Sequence, residues 1–210
     1  MKAYVFPVAP NPTKLRLYLA EKAAAGHEIP VEQVMVSLVD GEQNQPEHLA
    51  RNPLGRLPVL ELDDGSFLSE SLAIIQYLEE LHPEPPMIGR EPLARARVRE
   101  LERLAEISVL FPVAQIVHAT NSPLGLPPKP EVAEHFRPSL PRGLGALDAA
   151  LADGRPFLAG DRPSIADCTL AAALQFARFR ELEIDPAFAH VLRWDAAYRE
   201  REPAKQVLVL

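Results

Sequence analysis

Apolar and polar positions along this chain follow one rhythm up to about residue 82 and another after it. Residues 2–6 form a short apolar run stopped by Pro7, which predicts a strand by length and flanks. Residues 11–25 predict a helix with Asn11 as N-cap, Pro12 at the first helical position and Gly26 just past the end. The stretch 31–39 has strand composition, and 46–51 allows one or two helical turns. Residues 59–62 and 66–68 read as strands joined through Asp63-Asp64-Gly65, a strong hairpin signal. Residues 71–81 predict a helix with Leu72, Ile75, Leu78 and Leu81 on one side. The order is therefore β-α-β-α-β-β-α.

After residue 82 the pattern turns helical. His82-Pro83-Glu84-Pro85-Pro86 is a proline-rich linker. We divide the chain into a mixed α/β domain over 1–81, a linker over 82–91 and an all-helical domain over 92–210. One long helix is expected from about 92 to 120, with others at about 131–152, 164–180 and 186–201. No convincing strand occurs before the last few residues. Ser164-Ile165-Ala166-Asp167 is a capping box, with Asp167 acting as a cap. It opens a helix that is apolar almost all round, so that helix belongs at a buried centre, with Cys168 a small core residue and Trp194 core as well.

Charge narrows the function classes. The chain has 29 acidic and 22 Lys or Arg residues and a net charge of −7. Nothing there favours nucleic acid, which needs basic surface. A single cysteine excludes an intramolecular disulfide and a cysteine-based zinc site. No His and acid cluster has metal spacing. No apolar run approaches a membrane span, and Pro7 interrupts the N-terminus before a signal core can form. The cytoplasm is the default expectation.

The chemistry concentrates between Asn52 and Ser71. A loop, Asn52-Pro53-Leu54-Gly55-Arg56-Leu57-Pro58, enters a strand at the proline. An acid and a hydroxyl, Glu70 and Ser71, stand at the mouth of a helix. Helix N-termini offer free N–H groups and partial positive charge, so a carboxylate docks there. The same pair also serves as ordinary capping. Such an order of parts suits gripping a small peptide by its backbone and charged end.

With Pro10-Asn11-Pro12-Thr13-Lys14-Leu15-Arg16, the 52–60 segment with Glu70-Ser71, and Pro163-Ser164-Ile165-Ala166-Asp167, the chain resembles a bacterial glutathione S-transferase. It looks theta/nu-like, with a Pro-Asn pair opening the first helix, and the resemblance runs from Met1 to about Arg201. It implies an α/β thioredoxin-like N-terminal domain, an all-α C-terminal domain and a homodimer. Glutathione is the implied co-substrate, with no metal. The resemblance makes Pro58 cis and turns the Leu57 amide and carbonyl toward glutathione. It makes Glu70 and Ser71 the γ-glutamyl site, and gives Gln43 and Arg56 the glycyl end. Ala9 departs from the pattern, since many bacterial members carry Ser or Thr there. Thiol activation then falls to Asn11, as cap and donor, or to Thr13. Ile107, Leu110, Phe111 and His118 would wall the second-substrate pocket. Conjugation of an apolar electrophile is the leading expectation. Glutathione-dependent disulfide reduction, or peroxidase activity, comes second, and a non-catalytic binding or regulatory protein third.

Overall fold

The computed structural model describes residues 1–209. Strand β1 (Lys2–Val5) is followed by helix α1 (Pro10–Ala24), β2 (Glu32–Met35), a 3-10 turn at Glu42–Asn44 and the short helix α2 (Pro46–Leu49). Strands β3 (Val59–Glu61) and β4 (Phe67–Ser69) then lead into α3 (Ser71–Leu81). The sheet order is β2-β1-β3-β4, with β1 and β2 parallel and the other pairings antiparallel. Alternation assigns the two faces. Ala3, Val5 and Leu60 enter the main core, while Tyr4, Leu57 and Val59 form a smaller cluster on the other face. On α3 the buried apolar residues are Ile74, Ile75 and Leu78, whereas Leu81 is half exposed.

The helical half holds α4 (Pro92–Ala105), a π turn (Glu106–Leu110), α5 (Phe111–Thr120), α6 (Pro130–Phe136) and α7 (Leu140–Ala150). Helices α8 (Ile165–Phe179), α9 (Ala189–Arg199) and α10 (Glu202–Val207) complete it. The expected 92–120 helix is thus widened at its middle. Pro112 has no N–H for the Ser108 carbonyl, and its ring would clash there in an α-helix. The chain responds with a bond from Phe111 N–H back to Glu106 C=O. The freed Ser108 carbonyl is met by Gly143 of α7, where an added Cβ would stand 2.2 Å from its oxygen. Gly143 is therefore fixed by close approach.

One further expectation is corrected. The 131–152 helix is two helices, because Pro138 and Pro141 interrupt the hydrogen-bond ladder. Helix α10 forms over residues to which the sequence pattern assigns no element. The capping box of α8 forms, and that helix is buried from Ile165 through Ala177.

Helix α1 is bound to the helical half by buried charge. Lys14 is fully buried, with its Nζ 3.2 Å from Glu102 and 3.2 Å from Glu106. Thr169 of α8 donates to the same Glu102 oxygen at 3.1 Å. A second buried lysine, Lys22, pairs with Glu79 of α3 at 2.7 Å and donates to the His82 and Pro85 carbonyls. The Lys14 contacts fix the start of α1 relative to α4, the π turn and α8.

Candidate functional site

Three prolines shape the approach to α1. Pro10 takes the first helical position and Ala9 the N-cap, so Asn11 lies inside the first turn. This corrects the expectation that Asn11 caps the helix. Pro10 and Pro12 both suit a helix start, and the earlier one takes it. Thr13 N–H closes the first helical bond to the Ala9 carbonyl at 3.0 Å. Because prolines lack N–H, Asn11 supplies the one backbone donor of the first turn that is unbonded among the described residues. Its side-chain Oδ1 accepts from the Ser71 hydroxyl at 3.2 Å, so Asn11 joins the mouths of α1 and α3. Its Nδ2 donates to no protein group among the described residues.

Backbone strain borders both mouths. Val8 has φ +72° and Glu70, the N-cap of α3, has φ +69°. Such conformations cost roughly 1–3 kcal/mol each for residues with a Cβ and collect where a ligand is clamped.

The loop before β3 is held from beneath. Asn52, buried, accepts from Leu54 N–H at 3.1 Å and donates to the Arg56 carbonyl at 3.0 Å. Gly55, at φ +60°, passes so close to the 3-10 turn that a Cβ would meet the Gln43 carbonyl at 3.1 Å. The Leu57–Pro58 peptide is cis. Leu57 N–H and C=O make no hydrogen bond within the described residues.

These parts converge on one cavity of about 570 Å³. Asn11, Gln43, Arg56 and Leu57 line it from the α/β half, and His118, Phe176, Phe179 and Arg180 from the helical half. Its polar side chains are Asn11, Gln43, Arg56, His118 and Arg180; no hydroxyl, thiol or carboxylate lines it among the described residues. The Gln43 Oε1 is buried without a partner and suits a ligand N–H. Arg56 is exposed and forms no ion pair among the described residues. Burial pushes the His118 pKa below its ordinary value, so the ring is neutral at pH 7. Its Nδ1 lies 3.0 Å from Ser122 Oγ, which also accepts from Leu124 N–H. Arg180 uses Nε on the Asn121 carbonyl at 2.6 Å and Nη2 on the Asn121 side chain.

Other sequence-derived site residues lie elsewhere. Thr13 is fully buried and accepts from Gln175 Nε2 at 3.4 Å, so its hydroxyl does not face the cavity. Pro58 is buried beneath the loop. Glu70 and Ser71 do not line the cavity, and Ser71 reaches it through Asn11. Among the described residues no side chain caps the first N–H groups of α3. Ile107 and Phe111 are exposed and Leu110 is buried, all outside the cavity. Eleven residues separate Ile107 from His118, roughly 16 Å of helix. The π turn also rotates the preceding face by about 100°. Arg180, Phe176 and Phe179 carry no local signal, since they meet the site only through tertiary packing.

Comparisons with known proteins agree with this fold. Residues 4–86 match the glutathione S-transferase N-terminal domain, and residues 130–198 the glutathione S-transferase C-terminal domain. Glutathione S-transferase 2 of Saccharomyces cerevisiae is 33% identical over 214 residues, covering 99% of this chain and 89% of the relative. Maleylacetoacetate isomerase of Pseudomonas aeruginosa is 32% identical over 219 residues, covering 98% and 97%. The crystal structure of Gtt2 from Saccharomyces cerevisiae superposes with a TM-score of 0.88 at 33% identity, covering 99% of this chain and 100% of that one. A glutathione S-transferase from Methylobacillus flagellatus, solved with GSH bound, gives 0.83 at 28% identity, covering 100% and 99%.

Proposed function

This chain belongs to the glutathione S-transferase family, and from that membership we propose that it binds glutathione and directs its thiolate at an apolar electrophile. One observation carries the reading. The unbonded Leu57 backbone, the unpartnered Gln43 Oε1, the unpaired Arg56 and the Asn11 donors share one cavity. A peptide backbone pairs with Leu57 as with a strand edge. The uncapped mouth of α3 suits the γ-glutamyl carboxylate, with Glu70 near its ammonium.

The sulfur then lies at the mouth of α1. A free thiol has a pKa of about 8.5, so only a few per cent is thiolate at pH 7. Asn11 N–H and Nδ2 hydrogen-bond the thiolate, and the dipole of α1 adds to their effect. His118 is the lining side chain able to take the proton at neutral pH. In the tautomer whose Nδ1–H donates to Ser122, Nε2 is bare. The thiol proton passes to it, the sulfur forms the new bond to carbon, and the leaving group departs with its electron pair.

The test is turnover of glutathione with an aryl halide across pH. His118→Gln is expected to lower kcat/KM about 100-fold at pH 7. The deficit should close above pH about 8.5, where the thiol ionises unaided. In the parent, the ionisable base should persist below the ordinary histidine value of 6.5, because burial opposes protonation. A pH profile unaltered by the substitution would remove His118 from the reaction.

Arg180 favours a second reading. It is the cation on the helical side of the cavity and suits an acidic substrate. Relatives named maleylacetoacetate isomerase point the same way. Small disulfides belong in the same assay, since the missing hydroxyl leaves glutathione-dependent reduction open.

We also propose a cytoplasmic homodimer divided at the 82–91 linker. Exposed Leu54, Phe67, Leu93, Ile107 and Phe111 supply apolar surface for pairing. Among the described residues no helix is long and apolar enough to cross a membrane, and no three metal-binding side chains cluster.

A further inference from the structure

We infer that His48 is a positioning residue for the glutathione grip, acting through the Arg56 carbonyl; the inference rests on the reading that Leu57 pairs with glutathione. His48 belongs to α2, outside the cavity, and is 1% exposed. Its Nε2 lies 3.1 Å from the Arg56 carbonyl oxygen, which also accepts from Asn52 Nδ2 at 3.0 Å. Two donors on one carbonyl fix the plane of the Arg56–Leu57 peptide. That plane carries the Leu57 N–H, so its aim is set from behind by His48 and Asn52 together.

The other ring nitrogen sharpens the point. As the Arg56 carbonyl can only accept, Nε2 carries the hydrogen, and Nδ1 is then a bare acceptor. Nδ1 is buried with no partner among the described residues. A leucine of similar bulk would avoid that orphan and pack as well. An imidazole at this place therefore has its use at Nε2. In the sequence His48 carries no signal, since a lone histidine in a four-residue helix has no pattern around it.

The test compares the parent, His48→Leu and His48→Gln by calorimetric titration with reduced glutathione, turnover and thermal unfolding. His48→Leu is expected to weaken glutathione binding about 10-fold, the effect of one lost hydrogen bond. Its kcat at saturating glutathione should stay within about two-fold, because the thiol end is untouched. Its Tm should stay within about 3 °C. His48→Gln, whose amide N–H reaches the same carbonyl, should restore binding. Equal affinity of parent and His48→Leu would overturn the inference, as would a Gln variant no better than Leu. Should the Leu variant fail to fold, nitrogen shifts of the parent's ring decide: the Nε2–H tautomer supports the role and the Nδ1–H tautomer overturns it. A parent that binds no glutathione at all would instead sink the functional reading.

Discussion

Lys14→Met is expected to destabilise the protein by about 3–5 kcal/mol near neutral pH, the cost of removing one partner from a buried ion pair. For a chain this long that lowers Tm by about 10 °C. Lys14 and Glu102 are both fully buried, and Glu106 is partly so. Burial raises the Glu102 pKa, and Lys14 opposes that rise. Burial also acts to raise Glu106, but Lys14, the bond shared with Glu102 and Arg103 outweigh it and leave its pKa lowered. Without Lys14 both carboxyls would hold protons more tightly when folded than when unfolded. A raised folded pKa gives stability that is lost as pH rises through it. The deficit of Lys14→Met should therefore be larger at pH about 8 than at pH about 5. Adding Glu102→Met should recover part of the loss, because the buried charge goes with its partner. Thermal unfolding at the two pH values checks this. An unchanged Tm at the higher pH would show that the cluster does not tie α1 to α4 and α8.

Asp167→Asn should cost about 3 kcal/mol, since a charged acceptor serves four donors. Its Oδ1 accepts from Leu158 N–H at 2.9 Å and Trp194 Nε1–H at 3.1 Å. Its Oδ2 accepts from Ser164 N–H at 2.8 Å and the Ser164 hydroxyl at 2.7 Å. Burial pushes its pKa up to about 6 against those donors, so at pH 7 it remains mainly ionised. An asparagine offers one oxygen and turns an NH₂ toward two donors. The start of α8, the 157–160 turn and α9 should loosen together. Chemical denaturation of the variant, read at Trp194, measures the loss. A midpoint equal to the parent's would mean that the four bonds add nothing beyond packing.

The sequence made these two networks unequally visible. The capping box of α8 is local, four residues with a known geometry, and it reads directly from Ser164 and Asp167. Lys14 is 88 residues from Glu102. A lysine on a helix reads as solvated, and only the packing of α1 against α8, with Glu102 of α4 alongside, buries it. The same distinction runs through the fold. The hairpin at Asp64-Gly65 and the span of α3 follow from short-range chemistry. The π turn needs both Pro112 and the close approach of Gly143, so periodicity alone put Ile107 and His118 on one wall. At the site, the loop that enters β3 at Pro58 is legible in the sequence from Asn52 to Pro58. The Asn11–Ser71 link and the His48 clamp are not, because each joins segments that meet only in three dimensions. Asn11 lies inside the first turn of α1 and not at its cap: its oxygen serves Ser71, and its backbone N–H and Nδ2 have no protein partner among the described residues.

The central claim is that this cavity holds glutathione with the sulfur at Asn11. Calorimetric titration of the parent and Asn11→Ala with reduced and oxidised glutathione, at constant salt, tests it most directly. We expect the parent to bind reduced glutathione at sub-millimolar concentration, and Asn11→Ala to bind with a bound-thiol pKa moved back toward the free value. No binding of either form to the parent at millimolar ligand would contradict the account.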